Sequence, residues 1–243
     1  MEPKSDNRIL ILSDRIDLAD ETAIELQTLG FSGVIAQGIQ EAVEFVEDRN
    51  VSVVLIVSAS SHSAAKAYCG TIRTVSAVPI LAVCHRAGEH DVAGVLASGA
   101  DDCVRPSVGH VELAARVRSL IRRAATPSYQ AGAAPFRRDR DSGSALRVGV
   151  VRLDLTTCRV SVNGRAHMLT PNEFRLMAVF MGAPGEVFSR EDLRRRVWPN
   201  ERHSLHLIEV HIANLRTKIE VDPHRPAYIL TVRSRGYKFA GKP

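Results

Sequence analysis

Along the first half of the chain, short apolar runs alternate with longer stretches whose apolar residues recur at helical spacing. Residues 8–12 (RILIL) form an apolar run that stops at Ser13-Asp14. Similar runs at 33–36, 53–57, 79–83 and 102–104 predict strands. Helical spacing covers 18–29, 40–48, 64–75, 89–97 and 108–124, and two of these stretches end at Gly30 and Gly99. The run VVLIV at 53–57 is β-branched or leucine throughout, which suits a central strand covered on both faces. Strict alternation with short connections predicts an α/β fold, a doubly wound sheet of five parallel strands. Ligands of such sheets meet the C-terminal strand ends. Here those ends carry Ser13-Asp14, Val57-Ser58, Cys84-His85 and Arg105-Pro106.

The pattern changes in the second half. Residues 125–144 lack a hydrophobic period and are rich in Ala, Pro, Gly, Ser and Arg, so they predict a tether. The expected division is a first domain over 1–124, a linker over 125–144 and a second domain over 145–243. Residues 146–169 predict short strands, with Asn163-Gly164 as a hairpin turn. Thr170-Pro171-Asn172-Glu173 predicts a helix start: Thr170 as cap, Pro171 at the first helical position, Glu173 closing a capping box. Ser189 to Asp192 predicts a second such box. A third helix follows over 204–222, and then a hairpin folded around Ser234-Arg235-Gly236. Three helices followed by a β-hairpin predict a winged helix-turn-helix, whose third helix reads the major groove.

That third helix, SLHLIEVHIANLRTKIEVD, carries an apolar stripe of Leu205, Ile208, Ile212, Leu215 and Ile219. Its opposite face holds His206, Val210, Ala213, Asn214 and Thr217, flanked by His211, Arg216 and Lys218. Short apolar groups suit thymine methyls, Asn and His reach base edges, and Arg and Lys suit phosphates. An amphipathic helix on a domain surface is the alternative. For Trp198, Tyr237 and Phe239, core packing is the expected role.

Composition narrows the picture. The formal net charge of +5 and the pI above nine suit a nucleic-acid partner without requiring one. The start MEPKSDNR has no apolar segment of the signal-peptide kind, and no run is long enough to span a membrane. The cysteines, Cys69, Cys84, Cys103 and Cys158, include no CxxC pair. Reduced thiols in a cytoplasmic protein are expected, with no metal and no cofactor. No nucleophile–base pair, metal cluster or phosphate loop suggests an enzyme.

The strand–helix order of the first half, with Gly99-Ala100-Asp101-Asp102, resembles the receiver domain of bacterial response regulators. That resemblance implies an acidic pair after the first strand, a phosphoacceptor aspartate after the third, a Thr or Ser after the fourth and a Lys after the fifth. This sequence has Ser13-Asp14, Val57, Cys84 and Arg105 there, and Cys103 at the aromatic switch position. Val57 has no oxygen to phosphorylate, and Asp14 alone is a poor magnesium site. Asp14 is expected as an ordinary loop-facing acid, paired with Arg105. Cys84 and Cys103 are expected to lie near one another; they are either small buried hydrophobes or an oxidant-sensing pair. The resemblance also implies a dimer through the fourth helix, fifth strand and fifth helix, with Asp101, Asp102, Glu112, Arg116 and Arg118 at the interface.

The second half resembles the effector domain of the OmpR/PhoB type through LTPNEFRLM, GEVFSREDLRRRVW, EVHIANLRTKIE and YILTVRSRGYKF. By position, base or groove contacts fall on His206, Val210, Asn214 and Thr217. Phosphate contacts fall on His211, Arg216 and Lys218, and wing contacts on Arg233 and Arg235. The loop after Trp198, which in relatives can contact RNA polymerase, is slightly short. The resulting expectation is a regulator of transcription that needs no aspartyl phosphate and binds double-stranded DNA as a homodimer. The alternative is an interaction module whose receiver-like half captures a partner.

Overall fold

The computed structural model describes residues 7–48, 51–59, 62–84, 89–125, 145–198 and 205–240. The chain divides into two compact units, Met1–Ala125 and Thr126–Pro243. The tether expected over 125–144, including Arg137, Arg138 and Arg140, lies outside the described residues except for Ala125.

The first unit alternates as its sequence predicts: β1 (Arg8–Ser13), α1 (Ile16–Thr28), β2 (Ser32–Ala36), α2 (Ile39–Glu47), β3 (Val53–Ser58), α3 (His62–Val75), β4 (Ile80–Cys84), α4 (Glu89–Ala97), β5 (Asp102–Val104) and α5 (His110–Ala125). The five strands form one parallel sheet in the order β2-β1-β3-β4-β5. Central β3 is buried at every residue, as an all-apolar strand covered on both faces must be. One face of the sheet, with Ile9, Ile11, Leu55, Val57, Leu81 and Val104, packs on Leu26 of α1 and on Leu113, Val117 and Leu120 of α5. The other face meets α3, whose buried stripe is Ala65, Cys69 and Ile72.

The second unit begins with four short antiparallel strands, β6 (Ala145–Val148), β7 (Val151–Asp154), β8 (Arg159–Val162) and β9 (Arg165–Met168), paired in chain order. Asn163 and Gly164 both have positive φ, 49° and 82°, which the right-handed strand twist favours in a two-residue hairpin. Three helices follow: α6 (Pro171–Gly182), α7 (Arg190–Val197) and α8 (Leu205–Ile219). Both capping boxes form, Thr170 with Glu173 and Ser189 with Asp192, so the first orphan amides of α6 and α7 are satisfied from within. The closing hairpin is β11 (Ile229–Val232) with β12 (Gly236–Phe239). Between α6 and α7 a two-residue strand, β10 (Val187–Phe188), pairs with β12 and anchors the hairpin. It is too short to leave a period in the sequence. Gly236 is required where β12 crosses it: its φ is 132°, and a Cβ there would collide with the Phe188 carbonyl. No described helix is long and apolar enough to cross a membrane.

Candidate nucleic-acid interface and the strand-end pocket

Helix α8 sits against α6 and α7 and buries a wider arc than the expected stripe. Leu207, Ile208, Ile212, Leu215 and Ile219 are buried, while Leu205 is 42% exposed. At about 100° per residue, the solvent-facing arc runs through Ala213 and Thr217, both exposed, with Asn214 at its edge. The His206 side chain and residues 199–204, with the loop expected to contact RNA polymerase, lie outside the described residues.

Four residues expected at DNA are engaged inside the unit instead. Val210 is 8% exposed and turned into the apolar side. His211 is 1% exposed: its ring stacks on Trp198 with centroids 5.7 Å apart, and its Nε2 lies 3.4 Å from Asn172 Nδ2. It fills the junction of α6, α7 and α8, so it cannot reach a phosphate there. Lys218 points back to α6, where Nζ lies 2.6 Å from Glu173 Oε2 and donates to the Met168 carbonyl at 3.0 Å. Glu173 is the carboxylate of the capping box and its side chain is 3% exposed, so it needs a cation beside it. Trp198, Tyr237 and Phe239 are core residues, as expected.

Arg216 is the fourth. Its Nε and Nη2 donate to the Ile229 carbonyl at 3.1 and 2.7 Å, and Nη2 also donates to Thr231 Oγ1 at 2.9 Å. Its guanidinium lies 5.9 Å from the Tyr237 ring centre, and Arg190 lies 5.4 Å from the same ring. Arg190 in turn donates to Glu209 of α8 at 2.8 Å. Burial draws the Arg216 pKa below its ordinary value, with Tyr237 and Glu220 opposing, and burial raises that of Tyr237. The set fastens the hairpin to α8 and fixes the angle between them. Beyond the fastening, Arg233 and Arg235 stand exposed at the tip. Among the described residues, Ala213, Thr217, Arg233 and Arg235 stand exposed on this side, with Asn214 half-buried at its edge. The sequence carried no sign of the roles of Arg190 and Tyr237 as a clamp, because the ring and its two cations come from three separate elements.

At the strand ends of the first unit, polar groups satisfy one another. Ser13 Oγ donates to the Val57 carbonyl at 2.7 Å and accepts from Arg15 N at 3.1 Å. The Asp14 carboxylate accepts from Ala59 N at 3.0 Å and from Ser58 Oγ at 3.3 Å. Arg105, expected beside Asp14, is exposed. Val57 is 4% exposed. A cleft of about 360 Å³ opens between β1, β2 and α1, lined by Ser13, Asp14, Ile16, Ala19, Ile35, Ala36 and Gln37. Cys84 is fully buried and Cys103 half-buried, and the strand register places the two diagonally across β4 and β5, on one face of the sheet.

The charges expected to pair across a dimer are committed within the chain. Asp101 is fully buried, where Oδ2 meets Arg73 Nη2 at 2.8 Å and Ile80 N at 2.9 Å. Asp102 is 4% exposed and lies 2.9 Å from Arg116 Nη1; Arg116 also holds Glu112 one turn away, at 2.7 Å. Arg118 turns to the end of α1, donating to the Leu29 carbonyl at 2.6 Å and lying over the Phe31 ring. Asp101 and Arg118 therefore serve the interior and the α1 side, not a face shared by α4, β5 and α5.

Comparison with known proteins agrees with this architecture. A family model described as the C-terminal part of transcriptional regulatory proteins matches residues 164–239. The sensory transduction protein RegX3 of Mycolicibacterium smegmatis is 36% identical over 235 residues, covering 96% of this chain and 99% of that protein. The DNA-binding response regulator MtrA of Mycobacterium tuberculosis is 34% identical over 239 residues, 97% of each chain. A serine variant of RitR shares the fold, with a TM-score of 0.74 at 22% identity over 96% of this chain and 98% of that one. Likeness to RegX3 and MtrA extends over both units, and the chain belongs to the OmpR/PhoB-type family of response regulators.

Proposed function

We propose that this protein regulates transcription by binding double-stranded DNA through α8 and the hairpin wing, and that it does so without aspartyl phosphorylation. The observation that carries the reading is a single contrast. The reading edge keeps Asn214, Thr217, Arg233 and Arg235 open to solvent or at its border, while the phosphoacceptor position is a valine sealed in the core. Asn214 suits a bidentate contact to adenine, Ala213 a thymine methyl, and the wing arginines phosphates or a narrow minor groove. Phosphoryl transfer needs a carboxylate nucleophile and a divalent ion, and Val57 with Ser13 supplies neither. The protein acts as a homodimer on tandem or repeated half-sites. Contact with RNA polymerase through the loop after Trp198 is part of the same proposal.

Binding of the unphosphorylated protein to a library of duplexes tests the reading. Selective binding is expected, with Asn214→Ala changing preference at one base pair by about 1–3 kcal/mol. Acetyl phosphate should leave the intact mass unchanged. Failure to bind any sequence selectively, or an acid-labile phosphate on the first unit, would overturn the respective half of the proposal. Selective capture of a protein partner with no DNA binding would favour the interaction module instead.

A further inference from the structure

The buried thiols at the edge of the first sheet are placed for a chemistry of their own. β4 and β5 pair in parallel with Ala82 opposite Cys103 and Val83 opposite Val104. Cys84 is two residues beyond Ala82, so it shares a sheet face with Cys103 and is its diagonal neighbour across the two strands. This is the α3 and α4 side, opposite the face on which Val83 and Val104 pack against α1 and α5. Cys103, half-buried on a three-residue edge strand, gives solvent access to the pair. Lys66 of α3 lies across Gly94 of α4, so close that a Cβ at Gly94 would collide with its amine, and its charge acts on Cys84.

We propose that Cys84 and Cys103 are a dithiol that hydroperoxides oxidise to a disulfide, displacing edge strand β5. Cys84 is the attacking sulfur. The neighbouring Cys103 thiol draws its pKa below the ordinary thiol value, against burial and the Asp91 carboxylate, and the Lys66 charge adds to the lowering. The Cys84 thiolate attacks one peroxide oxygen. The O–O bond breaks, hydroxide leaves and takes a proton, and Cys84 becomes a sulfenic acid. Cys103 sulfur then attacks Cys84 sulfur, the S–O bond breaks, and the hydroxyl leaves as water with the Cys103 proton. Two thiols and one hydrogen peroxide become one disulfide and two waters. Diagonal neighbours on adjacent strands have Cα atoms about 7–8 Å apart, and bridged cysteines usually lie about 5.5–6 Å apart. The bridge must therefore pull β5 along β4. β5 can yield because it is short and paired on one side only. A bridge formed under such strain is readily reduced, which makes the change reversible. Cys69 is a control within the molecule. It is fully buried on α3, and burial pushes its thiol up to about 12.

The experiment is peroxide titration of the reduced full-length chain, followed by alkylation and peptide mass mapping. It does not depend on DNA binding, so its failure and that of the proposed function are separable. The expected result is a loss of about 2 Da, a peptide joining Cys84 to Cys103, continued alkylation of Cys69, and full reversal by dithiothreitol. Cys103→Ser should abolish the loss and leave Cys84 trappable by dimedone as a sulfenic acid. Should that variant fail to fold, the wild-type map still decides. Four thiols that stay alkylatable in peroxide, a bridge between other cysteines, or oxidation of Cys84 alone to the sulfinic acid would overturn the proposal.

Discussion

Replacing Arg216 by alanine separates two roles for a cation on a reading helix. A phosphate contact would cost affinity and leave stability alone. The geometry assigns the opposite. Arg216 gives two charged donors to the carbonyl of Ile229, a residue with no exposure, and loss of such a bond costs about 1.5–3 kcal/mol. The contact with the Tyr237 ring adds about 0.5–1 kcal/mol. The sum is about 2–4 kcal/mol, a large share of what holds a small domain together. Trp198 is the chain's single tryptophan and is buried in the second unit, so its fluorescence in urea follows that unit alone. With a slope of about 1–2 kcal/mol per molar, the midpoint should fall by about 1–4 M. Arg216→Lys should fall nearly as far, since lysine keeps the charge but not the planar fork. The reasoning fails if Arg216→Ala unfolds at the wild-type midpoint while its DNA affinity loses about one unit of salt slope.

Other outcomes follow from the same placement of charges. Arg233→Ala and Arg235→Ala should leave the urea midpoint unchanged, and each should reduce the dependence of log affinity on log salt by about 0.9 in binding titrations across salt concentrations. Lys218→Ala strands the buried Glu173 carboxylate without its cation and should destabilise the second unit by about 3 kcal/mol in the same urea assay; a loss confined to DNA affinity would refute that role. Asp154 closes the turn after β7. The Thr156 hydroxyl, then the amides of Thr157 and Thr156, hold its carboxyl down at about 2 against burial. Because the folded value is depressed, its contribution is complete above the ordinary value of 3.8 and disappears as pH falls toward 2. Asp154→Ala should therefore cost up to about 2 kcal/mol at neutral pH. The gap from wild type should close between pH 4 and about 2 in urea titrations; a gap independent of pH would show that the turn, not the charge, was lost.

The parallel sheet was legible because its evidence is local. Residues 53–57 can only be a strand buried on both faces, and each helix stops at a glycine or a polar break. The capping boxes and the Asn163-Gly164 turn were legible for the same reason: each is satisfied within four residues. His211 and Lys218 were not, because their partners Asn172 and Glu173 come from α6, 39 and 45 positions earlier. A helical period marks which residues share a face and is silent on how wide an arc the neighbours cover. The acids after α4 failed similarly. Asp101 is held by Arg73, 28 residues before it, and no pattern in Gly99-Ala100-Asp101-Asp102 announces that. One hint was available: Glu173 is fixed beside a buried helix start by its capping box, and a carboxylate so placed requires a nearby cation. The strand-end pocket was legible for a different reason. That Val57 has no oxygen is a property of the residue itself, whatever surrounds it, so an inference drawn from it needs only the position. Contacts of Arg216 or His211 are properties of the surroundings, and those exist only once the chain has folded.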